Sequence, residues 1–181
     1  MLQGLYQMLL PGFTERYGDR LPDETFEVTE RFAPSVAAWS LGVEGPATLA
    51  HGDYRAENLM FGTPAGGYPV AVVDWGLLGV GPGVGDCAYL LGASLRVEDR
   101  RAREEELLRA YLAGLGACGV EGYGWDDMWR GYRYATFGGV LITVVASMVV
   151  GEDERGHQMF CAMAERHCSH VVDHDAFALL P

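Results

Sequence analysis

Lysine is absent from the chain. All 13 basic residues are arginine, set against 25 acidic ones for a formal charge of −12 over 181 residues. A P-loop needs a lysine that reaches the nucleotide phosphates, so the glycine-rich stretch Gly79-Val-Gly-Pro-Gly-Val-Gly85 is not one. It also misses the G-x-G-x-x-G spacing, with Val84 and Asp86 at the wrong places, and is expected to form a flexible loop. Nucleic-acid surfaces carry a basic stripe that this acidic composition does not supply. An acidic outer face instead favours a cationic substrate. Cysteine is scarce: Cys87, Cys118, Cys161 and Cys168 are scattered, with no CxxC pair. That excludes a disulfide framework and reads as reduced residues of a cytoplasmic protein. Long apolar runs are missing too. Phe137–Val150 gives 14 uncharged residues, short of the roughly 20 that span a bilayer, and charged residues from Asp126 to Arg133 and from Glu152 to Glu154 flank it. No membrane association is expected, and the N-terminus lacks the basic region of a signal peptide.

What is present concentrates between Thr48 and Leu91. Two polar clusters, His51-Gly52-Asp53…Asn58 and Asp74-Trp75-Gly76, each adjoin a short apolar run, Leu59–Phe61 after the first and Val70–Val73 before the second. The intervening Thr63-Pro-Ala-Gly-Gly-Tyr-Pro69 supplies turn chemistry, so the segment predicts a β-hairpin. Its closed ends put Asn58 and Asp74 together, with Asp53 five residues before Asn58. Two carboxylates and an amide make an oxygen-only ligand set suited to a hard divalent ion such as magnesium. Any one of these residues alone is a common turn or cap residue. Their joint spacing is what points to chemistry.

His51-Gly-Asp53-Tyr-Arg-Ala-Glu-Asn58 resembles the catalytic loop of the aminoglycoside phosphotransferase and choline/ecdysteroid-kinase-like branch of the protein-kinase-like superfamily, with the Asp-to-Asn spacing of the kinase signature. Asp74-Trp75-Gly76 resembles the kinase DFG element, and Asp86 the buried aspartate that follows it in this branch. The resemblance implies an α+β, mostly helical, protein-kinase-like C-terminal lobe, with a small β-hairpin carrying the catalytic loop. It implies ATP as co-substrate, Mg2+ as cofactor and a small-molecule hydroxyl as acceptor. Asp53 would be the catalytic base, Asn58 and Asp74 the metal ligands, and His51, Arg55 and Asp86 the supports of the loop. Phe61 and Trp75 would border the nucleotide. The lysine-bearing strand and glycine-rich lid of a kinase are not in this sequence. Residues 1–181 are therefore expected to form a single lobe, the nucleotide-clamping N-terminal lobe being absent from this chain. The apolar surface left bare, near the N-terminal helix and the hairpin, would be covered by that lobe or by self-association. Two alternatives stand beside phosphotransfer: a kinase-like module that binds without catalysis, and a metal-dependent phosphohydrolase built on His51, Asp53 and Asp74.

The remainder reads as helix. Residues 1–50 are expected to be helical, with Leu2, Leu5, Tyr6, Leu9 and Leu10 as a buried face, an interruption at Pro11-Gly12 and a stop at Gly18. A second helix is expected to start at Pro22-Asp23-Glu24, to break at Pro34 and to bury Phe26, Phe32, Val36 and Trp39. The charge-dense Arg96–Glu106 reads as a solvated helix face with neighbouring ion pairs, continued by Leu107–Leu115 and ended by Gly114, Gly116 and Gly119. One long core helix is expected over residues 126–150, with Trp129, Tyr132 and Tyr134 able to line a substrate pocket. The last, over residues 155–178, carries His157, Cys161, His167, Cys168, His170 and His174. The i, i+4 pairs within it could place two zinc ligands on one face, but the spacing is no structural zinc motif, and a packed or solvated helix face is the expectation.

Overall fold

The first helix passes through its proline. The computed structural model describes residues 1–42, 45–150 and 153–181. In it α1 (Leu2–Tyr17) contains Pro11 and is capped at Gly18. Pro11 is exposed, so water can reach the carbonyl that its missing N–H leaves unpaired. On the buried side, Met148 Cε lies only 2.7 Å from where a side chain on Gly12 would begin. That close approach holds the helix where local propensity would break it. The buried face also differs from the leucine stripe. Tyr6, Phe13 and Tyr17 are buried, whereas Leu2 and Leu5 are exposed.

Helix α2 (Asp23–Phe32) starts after Pro22 with Asp23 and Glu24 in its first turn, where carboxylates favour the positive end of the helix dipole. A 3-10 turn around Pro34 separates it from α3 (Val36–Leu41). Residues 1–50 are not wholly helical, because β1 (Ala47–Ala50) follows. Residues 43–44 of that helical reading, and the charged flank at Glu152, lie outside the described residues.

Two antiparallel pairs are nested. β2 (Leu59–Thr63) and β3 (Gly66–Val72) form the expected hairpin, with Leu59 opposite Val72 and an irregularity between Phe61 and Thr63. β1 pairs with β4 (Gly79–Pro82), Ala47 opposite Pro82 and Ala50 opposite Gly79. The glycine-rich stretch is thus a strand leading into α4 (Val84–Ser94), not a loop. Its order comes from pairing with β1 rather than from side chains of its own. This nesting runs the 51–58 and 73–78 connections between the same two strand pairs.

Four longer helices complete the chain: α5 (Val97–Ala117), α6 (Trp125–Ala135), α7 (Phe137–Val149) and α8 (Glu154–Asp173). A 3-10 turn, Ala176–Leu179, closes it. The expected single core helix is divided at Thr136, whose hydroxyl bonds the Arg133 carbonyl at 2.8 Å. The run Trp125–Val149 has the length and apolarity to cross a membrane, yet 56% of its most apolar window is buried inside the protein, as in the core helix of a soluble domain. One core packs α1, α2, α3, α7 and α8, with Phe32 stacked on Phe137 at 4.6 Å. A second joins α4, α5 and α6 through Val84, Leu91, Leu108, Met128 and Tyr132. The chain is therefore α+β with helix predominant, compatible with a kinase-like lobe.

His167 of α8 sits in the seam between the cores. Its ring stacks on Tyr89 at 5.4 Å, and a Cβ on Gly139 would stand 2.0 Å from its Nδ1. Gly139→Ala is expected to destabilise by about 2–3 kcal/mol, because the buried ring has nowhere to move; urea unfolding measures this. Burial, with help from the charges of Arg166 and Arg100, pushes the His167 pKa down to about 3 from 6.5. Between those values the unfolded chain binds a proton that the folded chain does not, so stability falls as pH drops through that window. The slope from this group approaches about 1.4 kcal/mol per pH unit. His170, held well below its ordinary value chiefly by burial, steepens it. Urea midpoints should fall between pH 7 and 5 in the wild type, and less so in His167→Leu.

Candidate active site

Strand β1 delivers the chain into His51, and the loop that follows is held from beneath by α4. Asp86, in the first turn of α4, accepts the backbone N–H of His51 at 2.7 Å with Oδ2 and that of Gly52 at 3.0 Å with Oδ1. Gly52 has φ +82°, and a Cβ there would stand 2.7 Å from the Leu77 carbonyl oxygen. Only glycine suits that position.

Buried His51 is tied at both nitrogens. Nδ1 accepts the Asp53 N–H at 3.3 Å, which makes Nε2 the protonated nitrogen that donates to the Val73 carbonyl at 2.9 Å. Its ring lies 4.8 Å from that of Trp75. With both nitrogens engaged, His51 is a brace between the two connections. It has no lone pair left for the metal that the phosphohydrolase alternative requires.

The Asp53 carboxylate is half-buried and well partnered. Arg55 Nε lies 3.2 Å from Oδ1 and 3.3 Å from Oδ2. Asn58 Nδ2 donates to Oδ2 at 3.0 Å and to the Asp53 carbonyl at 2.8 Å. Because both acceptors are oxygens, the amide nitrogen must face Asp53, and the Asn58 side-chain oxygen is turned away from it. The Asn58 carbonyl accepts the N–H of Val73 at 3.0 Å, so Asp74 begins one residue from that contact. Asp74 adopts the left-handed conformation, φ 61° and ψ 62°. Besides Asp175, no other non-glycine among the described residues has positive φ. The kink turns the chain sharply, with the Asp74 side chain exposed at the surface.

The structure thus gathers His51, Asp53, Arg55, Asn58 and Asp86 into one bonded network and sets Asp74 beside it. Trp75 is anchored by its indole N–H to the Val72 carbonyl at 3.1 Å. Phe61 lies on the hairpin, 69% exposed. A family model described as the phosphotransferase enzyme family matches residues 7–129, both connections included. The chain belongs to the phosphotransferase enzyme family. No curated protein and no solved structure matches it.

Around the loop of this phosphotransferase lie residues that the sequence did not single out. Tyr89 of α4 lies near enough to Asp53 to feel its charge; burial, then that charge, pushes its phenol pKa upward. Its i+3 spacing from Asp86 is the signal that could have found it. Ser94 Oγ accepts the Ala56 N–H at 2.9 Å, which pins the far side of the loop to the end of α4. A cavity of about 540 Å³ opens beside the loop, lined by Tyr54, Trp75, Leu90, Leu107 and Tyr111 among others. Of the three aromatics expected to form a pocket, Tyr134 lines a separate cavity of about 460 Å³. Tyr132 is wholly buried and Trp129 packs against the second core instead.

Proposed function

We propose that this phosphotransferase transfers the γ-phosphoryl group of ATP, with magnesium, to a hydroxyl of a small molecule. The observation that carries the reading is the double engagement of Asn58. Its amide nitrogen fixes Asp53, while its backbone carbonyl fixes the residue before Asp74. One residue therefore sets both carboxylates relative to its own amide oxygen. Phosphoryl transfer depends mainly on such positioning and on charge neutralisation.

Asp53, oriented by Arg55 and Asn58, accepts or orients the proton of the acceptor hydroxyl. Asn58 and Asp74 offer only oxygen ligands, the donor chemistry that magnesium takes. Bound there, magnesium would neutralise the phosphate oxygens of the nucleotide. Asp86 and His51 hold the loop backbone, and Phe61 and Trp75 offer apolar surface to the nucleotide. The exposed apolar face of the hairpin and β4, with Phe61 at 69% and Val80 at 79% exposure, supports a covering lobe or a second copy. Four free thiols support a cytoplasmic location.

The lack of any lysine favours a second reading, a kinase-like module that binds without transfer. Incubation with magnesium and γ-labelled ATP over a panel of hydroxyl acceptors separates the two. Label appearing on an acceptor supports transfer; label released only as inorganic phosphate supports a hydrolase. Label that stays on ATP, at protein concentrations where the nucleotide is bound, supports the binding module.

A further inference from the structure

Away from the loop, α8 meets α5 and α6 around the side chain of Glu104. Its Oε2 is approached by Arg100 Nη1 at 2.8 Å, the Tyr132 hydroxyl at 2.9 Å, His174 Nε2 at 3.1 Å and His170 Nε2 at 3.7 Å. Glu104, His170 and His174 are all buried, and their ligand atoms lie within 4.8 Å of one another. His170 is fully enclosed, yet neither of its ring nitrogens has a hydrogen-bond partner. Leaving such a group unpaired is costly, and one of its nitrogens is turned to the carboxylate.

We infer that Glu104, His170 and His174 form a zinc site that staples α5 to the C-terminal end of α8. Zinc bonds of about 2.0–2.1 Å to nitrogen and oxygen imply separations of about 3.4 Å between tetrahedral ligands. The 3.1 and 3.7 Å distances from Glu104 to the two imidazoles bracket that value. The His170/His174 spacing supplies two ligands from one helix. The third comes from 70 residues upstream of His174, which is why the sequence alone made the site look incomplete. The Tyr132 hydroxyl donates to the same Glu104 oxygen at 2.9 Å. Arg100 is the competing cation. It also contacts Asp173, which Arg101 bonds at 2.8 Å, so releasing Glu104 does not leave its guanidinium unpaired. The site lies apart from Asp53, Asn58 and Asp74, and the inference does not rest on phosphotransfer.

The test uses the full chain without a histidine tag. Zinc content is measured by mass spectrometry after dialysis against metal-free buffer, and the visible spectrum is recorded after cobalt substitution. About one zinc per chain, a cobalt band of tetrahedral intensity and a thermal midpoint raised by zinc are expected. Glu104→Gln and His174→Ala should each weaken binding at least tenfold, and His170→Leu, which fills its space with apolar atoms, should fold and lose the ion. Zinc below about a tenth of an equivalent overturns the inference. So does unchanged binding in His170→Leu, which would place the ion adventitiously, for example at exposed Cys118.

Discussion

Asp53→Asn should lower the rate of phosphoryl transfer by about 10²–10⁴-fold, the range that a positioned general base supplies. The amide keeps the size of the carboxylate, and its oxygen can still accept from Asn58 Nδ2, now at 3.0 Å. The loop should therefore hold its shape, and magnesium–nucleotide affinity should change by only a few-fold. Turnover of a phosphorylated acceptor, measured beside nucleotide affinity, separates the two effects. A rate within about threefold of wild type would remove Asp53 from the chemistry.

The largest effect on stability is expected at Arg100. This guanidinium is 1% exposed and bonds both Glu104 and Asp173. Burial alone would raise the Glu104 pKa, but hydrogen bonds from His174 and Arg100, with their charges, hold it below the ordinary carboxylate range. Arg100→Met leaves that buried carboxylate without its cation, which costs about 3–5 kcal/mol. Arg109, nine residues further along α5, pairs with Glu105 at 2.7 Å on the exposed face. Its replacement by Met should matter far less. Urea unfolding in the presence of a metal chelator compares them without interference from bound zinc.

Arg100 also shows where a sequence stops being informative. Arg96–Glu106 mixes both charge signs densely, and nothing in it distinguishes the one arginine that turns inward. Only the arrival of α8, with Asp173 and the histidines, decides that. The glycine-rich strand β4 was illegible for the opposite reason, since alternate glycines have no side chains to alternate. Pro11 read as a break because the packing of Met148 against Gly12 comes from a helix over 130 residues away in sequence. The division at Thr136 falls two residues before Gly138-Gly139, a pair that reads as a close-packing site rather than as a break. By contrast, the hairpin was legible, because short apolar runs flanked a turn-rich segment. The juxtaposition of Asp53, Asn58 and Asp74 was legible through their spacing within one short stretch, and their roles remain the proposal made above. Tyr89, which stands near Asp53 from α4, was hidden in an apolar run that looks like plain core.

The most direct test is calorimetric titration of ATP with magnesium into the wild-type chain and into Asp74→Ala. The wild type should bind, and should lose that binding when magnesium is withheld. The variant should bind at least about 10²-fold more weakly, since magnesium then has only Asn58 to hold it against the phosphates. Equal affinity in the two proteins, or no binding by the wild type, would contradict the assignment of Asn58 and Asp74 as the metal ligands of a phosphotransfer site.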